Sequence, residues 1–120
     1  RDAVLANGLP WLVAERDGAV LGYAYANHFR PRRAYRFCVE DSIYLAPAAT
    51  GRGVGVLLLA ALLERGRAAG AHSVIAVITS PGAASVAIHA RAGFVDSGVT
   101  RDAGFKFGQW VDTVQMQLLL

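Results

Sequence analysis

The strongest candidate for chemistry is a glycine-rich run, Gly51-Arg52-Gly53-Val54-Gly55, between a predicted strand and a predicted helix. Glycines let the backbone approach a ligand closely, and a helix start offers free N–H groups and the positive end of its dipole. Together they predict a phosphate or pyrophosphate site, with a plain strand–helix turn as the alternative. No G-K-[ST] follows, which excludes a Walker loop. The run also lacks the glycine spacing and the distal acidic residue of a dinucleotide fingerprint.

A polar loop at 28–36 contains a cluster of arginines. They are Arg30, Arg32, Arg33 and Arg36. Guanidinium groups bind carboxylate or phosphate oxygens in pairs, so the cluster could hold an acidic ligand. A solvated loop face is the alternative.

Two further ionisable residues lie in apolar surroundings. Glu40 lies on an otherwise apolar predicted strand, where burial would raise its pKa toward the range of a general base. A structural carboxylate paired with a loop arginine is the alternative. His89 lies on an apolar helix face, where a packed core histidine is more common than a reactive one.

Composition narrows the function classes. The chain has 120 residues, of which 54% are hydrophobic and 18% charged, as in one globular domain. It contains no uncharged apolar run long enough to span a membrane. A net charge of +3, with its arginines in one short loop, does not predict nucleic-acid binding. The single cysteine, Cys38, predicts neither a disulfide nor a zinc site and favours a reducing compartment such as the cytoplasm.

The hydrophobic pattern predicts eight elements in the order β-β-β-α-β-α-β-β. The predicted strands are 11–15, 20–26, 37–45, 73–78, 94–99 and 111–119, and the predicted helices are 51–69 and 83–92. Residues 28–36, 80–82 and 101–108 are predicted loops. The first half of the long helix, 54–63, is apolar all round, which predicts burial on more than one face. The order predicts a mixed α/β sheet with an antiparallel start and a parallel crossover.

The glycine run and its neighbours resemble a known family. Ile43-Tyr44-Leu45, followed by Ala46-Pro47-x-x-Thr50 and the glycines, resembles the acetyl-CoA signature of the GNAT superfamily of N-acetyltransferases. The stretch from Ser85 to Gly93-Phe94 resembles its second signature. A narrower resemblance, to phosphinothricin and methionine sulfoximine acetyltransferases, covers most of the chain. Its segments are 10–15, 22–26, 32–35, 39–44, 85–89 and 104–112.

The resemblance implies a role for several residues. Glu40 would be the base, and His89 would contact the CoA thiol or protonate the departing thiolate. A backbone N–H near Tyr44-Leu45 would stabilise the oxyanion. Acetyl-CoA would be bound by Ile43, Tyr44, Leu45, Gly51, Arg52, Gly53, Val54, Gly55, Val56 and Ser85, and the substrate by Arg30, Arg32, Arg33, Tyr35, Asp41, Ser42 and Lys106. Trp110 either lines the same pocket or packs.

Two positions depart from the family pattern. Thr50 stands where relatives carry Gln or Arg, so Arg52 is expected to supply the charge toward the pyrophosphate. Gly82 stands where relatives carry an Asn that contacts the pantetheine arm. Relatives begin with a strand and helices that have no counterpart before Arg1. The resemblance therefore implies that residues 1–120 are one N-terminally incomplete domain.

The implied activity is acetyl transfer from acetyl-CoA to the α-amine of a small L-amino acid analogue, with no metal. The analogue would be phosphinothricin, methionine sulfoximine or methionine sulfone. Another amine acceptor (a polyamine, an aminoglycoside or a protein N-terminus) and a non-catalytic acyl-CoA-binding module are the alternatives. An uncovered sheet edge and apolar face would favour a homodimer. No nucleic acid or membrane partner is expected.

Overall fold

The computed structural model describes residues 1–79 and 82–120, which form a mixed α/β fold. The helices are α1 (Asp2–Ala6), α2 (Val54–Ala68) and α3 (Ala83–Arg91). The strands are β1 (Trp11–Arg16), β2 (Ala19–His28), β3 (Cys38–Leu45), β4 (Ser73–Thr79), β5 (Val95–Lys106) and β6 (Gln109–Leu119). Two 3-10 turns, Arg33–Tyr35 and Pro47–Ala49, precede β3 and α2 respectively. The predicted mixed α/β class and the order of strands and long helices are confirmed.

The six strands form one sheet in the order β1-β2-β3-β4-β6-β5. The pair β3–β4 is parallel and the other neighbouring pairs are antiparallel. The β1–β2 hairpin turns at Asp17-Gly18, which both have positive φ, as a tight hairpin turn requires. The parallel pair needs a crossover, and α2 provides it.

Both long helices lie on the same face of the sheet. Side chains alternate along a strand, so every second residue points to that face. Ala24, Ala26, Val39, Val74 and Met116 are buried there, in one core cluster with the α2 residues Leu58, Leu59 and Leu62. The small side chains of β2 allow α2 to lie close to the sheet. The opposite face presents Trp11, Tyr23, Tyr25 and Tyr44, whose rings stack in a row.

The parallel pairing of β3 with β4 is short. It runs only from Cys38 opposite Ser73 to Glu40 opposite Ile75. Beyond that point β3 stays paired with β2 as far as Leu45, and β4 stays paired with β6 as far as Thr79. The two strands therefore separate, and the β3 backbone after Glu40 has no ladder partner on β4.

The sequence-based prediction of the elements differs from the structure at four points. Residues 101–108 were predicted as a loop, but β5 continues to Lys106 and only Phe107-Gly108 turns. A register shift between Thr100 and Gly104 absorbs the glycine and the positive φ of Asp102 as a bulge. Helix α1 was not predicted, and its Val4 is buried in the core. His28 was placed in a loop but belongs to β2.

The fourth difference concerns α2, which is not buried on more than one face among the described residues. Its Leu57 is 72% exposed, while Leu58, Leu59 and Leu62 are buried on the sheet side. The apolar run shows only that the helix is hydrophobic, whereas the burial of each residue depends on which side of the helix the sheet covers. In the predicted loop 80–82, Ser80 and Pro81 lie outside the described residues.

None of the helices in the described part of the chain is long and apolar enough to cross a membrane.

We expect two glycine-to-alanine changes to act in opposite directions. A Cβ on Gly22 would lie 2.5 Å from the Tyr44 carbonyl oxygen and 2.9 Å from Leu45 Cδ2, so Gly22→Ala would push β2 away from β3. It should lower the free energy of unfolding by about 1–3 kcal/mol, as overpacking does. Gly66→Ala is the matched control, because nothing lies within 4 Å of its added Cβ. It should raise the stability by up to about 1 kcal/mol through helix propensity. Urea unfolding of both variants measures the contrast, and equal effects would contradict it.

Candidate active site

A cavity of about 480 Å³ opens where β3 and β4 separate. Strand β3 forms one wall, β4 the other, the start of α3 the floor and the end of β5 a rim. Its lining residues are Glu40, Asp41, Ser42, Ile43, Tyr44, Ala76, Val77, Ile78, Thr79, Gly82, Ser85, His89 and Lys106. Eight of the predicted site residues are therefore brought together here, although they come from β3, α3 and β5.

A buried acid–imidazole pair joins α3 to β3 beside this cavity. His89 Nε2 lies 2.7 Å from Asp41 Oδ2, and both side chains are almost fully buried, at 4% and 1% exposure. His89 Nδ1 lies 2.7 Å from the Ser85 carbonyl oxygen, one helical turn earlier. The Phe94 ring meets the imidazole edge-on at 4.9 Å. Each face of the imidazole is thus enclosed, and both of its nitrogens have a partner.

The hydrogen-bond partners of His89 determine where the protons of this pair lie. A carbonyl oxygen can only accept, so His89 Nδ1 donates to Ser85. One further proton must then lie between Nε2 and Oδ2, and the pair has no net charge. Burial alone lowers the pKa of His89, but the hydrogen bond to Asp41, its negative charge and the Ser85 carbonyl outweigh it. The pKa of His89 is therefore raised above its usual 6.5.

Glu40 points to the opposite face of the sheet from Asp41. It is half-buried, and burial, followed by the charge of Asp41, raises its pKa above the usual 4.5, while Arg30 opposes the shift. A smaller hollow of about 160 Å³ lies beside it, lined by Tyr25, Asn27, His28, Glu40 and Ser42. A carboxylate with a raised pKa beside an open hollow suits a proton acceptor. Tyr25 and Asn27 were not predicted for the site, because only the β2–β3 register brings them beside Glu40.

The glycine run forms a tight turn into α2. Gly51 and Gly53 have φ of +76° and +79°, a conformation that other residues rarely adopt. A hollow of about 230 Å³ lies against it, lined by Leu45, Ala49, Gly51, Gly53, Val54, Gly55, Val56, Ala84, Ile88 and Arg91. It combines a helix N-terminus with a cation, as an anion site requires.

Arg91, rather than the predicted Arg52, is the arginine among the residues that line this hollow. Arg52 lines a different groove of about 490 Å³, formed with apolar residues of β1 and α2 such as Leu12 and Leu57. The backbone turn at Gly51 and Gly53 directs the intervening side chain away from the α3 side. Arg91 lies in the last turn of α3, where basic residues are common for helix-dipole reasons, so its sequence context gave no specific signal.

Two glycines allow close packing that a side chain would obstruct. A Cβ on Gly55 would lie 2.8 Å from Ile88 Cδ1, and a Cβ on Gly82 would collide with Ile78 Cγ2 and lie 3.0 Å from the Thr79 carbonyl oxygen. Gly82 was predicted to lose a pantetheine contact. In this backbone conformation it also keeps the end of β4 close to α3.

The arginine loop lies at the surface beside Glu40. The Arg30 guanidinium covers the Phe29 ring at 3.9 Å and donates to the Phe29 carbonyl, and its charge reaches Glu40. Arg32 and Arg33 are exposed, and Tyr35 is exposed beside them. Of the predicted substrate ligands, Asp41, Ser42 and Lys106 lie in the cavity lining, whereas these loop residues lie outside it.

One predicted role does not fit its placement. Asp41 was predicted to bind substrate, but it lies under α3, and its Oδ2 is committed to His89. Trp110, for which pocket lining and packing were the alternatives, is exposed and packs edge-on against Phe105. The predicted contact of His89 with a thiol would require one of its two hydrogen bonds to break.

A family model described as "Acetyltransferase (GNAT) family" matches residues 1–94. The chain belongs to this family. It is 56% identical over 115 residues to a phosphinothricin N-acetyltransferase from Alcaligenes faecalis, a match that covers 95% of this chain and 58% of that one. It is 47% identical to an L-methionine sulfoximine/L-methionine sulfone acetyltransferase from Pseudomonas paraeruginosa, covering 99% of this chain and 70% of the relative.

A solved structure gives the same fold. A GNAT superfamily phosphinothricin acetyltransferase from Sinorhizobium meliloti, in complex with AcCoA, matches with a TM-score of 0.96 and 48% identity. The match covers 99% of this chain and 65% of that one. The chain thus spans between about six and seven tenths of the length of these three proteins.

We expect His89 to stabilise the fold in a pH-dependent manner. Its folded pKa lies above the usual 6.5, so its contribution is complete below pH 6.5 and is lost as pH rises through the folded pKa. Wild type should therefore exceed His89→Gln in free energy of unfolding at low pH, and the difference should shrink as pH rises. His72→Gln, at an exposed position, is the control and should show no such trend. Urea unfolding across the pH range measures the difference, and a constant gap would contradict the assignment.

Proposed function

We propose that this chain carries the catalytic core of an N-acetyltransferase. It would transfer acetyl from acetyl-CoA to the α-amine of a small L-amino acid analogue of the phosphinothricin, methionine sulfoximine or methionine sulfone type. The observation that carries the proposal is the separation of β3 from β4, with Glu40 on one side and the glycine turn at one end. The relatives named for these substrates support the choice of acceptor.

The described residues fit acetyl-CoA. Over 43–45, the edge of β3 that faces β4 has no ladder partner, so its backbone offers hydrogen-bonding groups to the pantetheine arm and a donor for the oxyanion of the tetrahedral intermediate. No atom of the described residues lies within 4 Å of a Cβ built on Gly51 or Gly53, so the turn is open to a ligand that approaches the backbone. The N–H groups of residues 51–56, together with Arg91, suit the pyrophosphate, and Ser85 borders the arm.

Glu40 accepts the proton that makes the amine a nucleophile. At neutral pH the amine is an ammonium, and it must lose one proton before it attacks the thioester carbonyl. After attack the nitrogen still holds one proton more than the amide product. When the C–S bond breaks, that second proton goes to the thiolate, directly or through water. The first proton leaves Glu40 for solvent, so the step balances with no other acid.

The arginine loop provides cations for the acidic groups of the substrate. Arg30, Arg32 and Arg33 lie before the Glu40 strand, and Tyr35 borders them. Lys106 adds a cation on the lining of the cavity between β3 and β4. A cationic rim disfavours polyamine and aminoglycoside acceptors, which carry positive charges themselves.

Location and assembly belong to the same proposal. The free Cys38 thiol suits the cytoplasm. Exposed Phe105, Phe107 and Trp110 on the β5–β6 hairpin, at the sheet edge, support a homodimer.

The proposal is tested by release of free CoA thiol over a panel of acceptors, with the three amino acid analogues beside a polyamine, an aminoglycoside and an N-terminal peptide. We expect the analogues to give the highest kcat/KM. A cationic acceptor or the peptide ranking first would replace the substrate assignment. Acetyl-CoA binding without thiol release on any acceptor would favour a non-catalytic module.

We expect Glu40→Gln to lower kcat by roughly 10²–10⁴, the usual contribution of a positioned base, with little change in acetyl-CoA affinity. In wild type, activity should fall as pH drops through the raised pKa of Glu40, since the protonated carboxyl cannot accept. The deficit of the variant should shrink at high pH, where the amine loses its own proton. Glu64→Gln, exposed on α2, is the control. A deficit that does not vary with pH would remove Glu40 from this role.

Arg91 and Arg52 offer a matched comparison. Arg91→Ala should weaken acetyl-CoA binding about tenfold at low ionic strength, the effect of one hydrogen bond to a charged group. Arg52→Ala should change the affinity far less, because that side chain lines the groove beside β1. Isothermal calorimetry measures both without any acceptor. A larger loss of affinity in Arg52→Ala than in Arg91→Ala would show that Arg52, not Arg91, is the cation that binds the pyrophosphate.

A further inference from the structure

We propose that Asp41 and His89 form a positioning pair, which fixes α3 against β3 where β3 and β4 separate and keeps its shared proton throughout acetyl transfer. This inference rests on the proposed function for its catalytic meaning. It assigns Asp41 a role, and it gives His89 a role other than protonating the thiolate.

The position of the pair supports the first half. Asp41 is the first β3 residue after the end of the pairing with β4, and His89 is on the helix that closes the cavity. Their 2.7 Å contact joins chain segments 48 residues apart. The β3–β4 ladder no longer holds the two walls together here, so this contact ties the β3 wall to the helix below it.

The geometry of the protons supports the second half. Both ring nitrogens of His89 are engaged, with Ser85 and with Asp41. If Nε2–H were given to a thiolate, Asp41 would be left as a buried carboxylate beside a neutral ring. Its Oδ1 is already buried with no hydrogen-bond partner among the described residues. An uncompensated buried charge is strongly unfavourable, so the proton is held rather than released.

None of the charged groups of the described residues around the pair could compensate the Asp41 carboxylate if His89 lost its proton. Glu40 adjoins Asp41 on β3 but points to the other face, and Lys106 lines the cavity from β5. Strand β4, at 73–79, has no titratable side chain, and the Phe94 ring covers the imidazole edge. The charged residues of α2, Glu64, Arg65 and Arg67, are exposed near its C-terminal end, and Arg91 is exposed on α3. The reaction, meanwhile, supplies its own proton from the attacking nitrogen.

A double-mutant cycle separates positioning from acid catalysis. The variants are Asp41→Asn, His89→Gln and the double variant, in which two neutral amides replace the charged pair. Each single variant leaves one polar group without its partner. We expect each to weaken acetyl-CoA binding about tenfold or more and to lower the melting temperature. The double variant should recover most of the affinity, most of the melting temperature and most of kcat. The exposed pair Glu64–Arg67, changed to Gln singly and together, is the control cycle and should show no coupling.

An acid role for His89 predicts a different result. In that case kcat in the double variant would be as low as in His89→Gln, with acetyl-CoA affinity near wild type, and this outcome would overturn the proposal. Failure of the double variant to recover affinity would also overturn it.

Nitrogen NMR of the His89 ring provides a readout that does not depend on activity or on the double variant. We expect both ring nitrogens to stay protonated in wild type when acetyl-CoA binds, and Nε2 to become an acceptor in Asp41→Asn. Loss of the Nε2 proton on binding, or no change in Asp41→Asn, would overturn the proposal. The NMR, affinity and melting measurements need no acceptor. They therefore test the pair even if wild type releases no thiol and the proposed function fails.

Discussion

The structure depends on a parallel pairing that stops after three residues. Strands β3 and β4 are joined from Cys38 to Glu40, and each then remains with its other neighbour. Twisted strands can part in this way without losing their other ladders. The separation creates the cavity and leaves the β3 edge that faces β4 without a ladder partner after Glu40. It also places Glu40 at the last point where the two strands meet. Every candidate function discussed above depends on that one break in the sheet.

A break in a sheet must be stabilised by other contacts. Helix α2 packs across β1, β2 and β3, and α3 packs on α2 and β4. The contact between Asp41 and His89 then links α3 back to β3. Because the pair is neutral as a whole, it introduces no net charge under the cavity. Glu40 and Lys106, on the other hand, keep their charges where solvent or a ligand can reach them.

Local sequence signals predicted most of the elements. Alternating apolar residues predicted β1, β2, β3 and β6 to within a few residues. Gly70 and Gly93, which have positive φ, follow the two long helices, as glycines commonly do at helix ends. Signals failed where tertiary structure overrides them. Gly104 indicated a loop, yet a bulge carries β5 past it. The apolar run of α2 could not indicate which side the sheet covers.

The candidate site was predicted only in part, because some of its contacts are local in sequence and others depend on tertiary structure. Glu40, Ser42 and the glycine turn are local features of one strand–helix unit. The partnership of Asp41 with His89 spans 48 residues, so no spacing rule contains it. The choice between Arg52 and Arg91 depends on backbone angles at Gly51 and Gly53. Family resemblance indicated residue types and roles, but it could not indicate which way each side chain points in the fold.

The order of strands has a consequence for synthesis on the ribosome. Strand β6, the last to be made, lies between β4 and β5 in the finished sheet. Until Leu119 has left the exit tunnel, β4 lacks its longest ladder and is joined to the growing domain by a three-residue pairing. From the synthesis of β4 until β6 has been made, the nascent chain therefore presents an apolar strand edge at Val74, Ala76 and Ile78. Such an edge is a binding surface for chaperones and a starting point for misassembly. The domain closes in one late step, when the C-terminal strand enters the middle of the sheet.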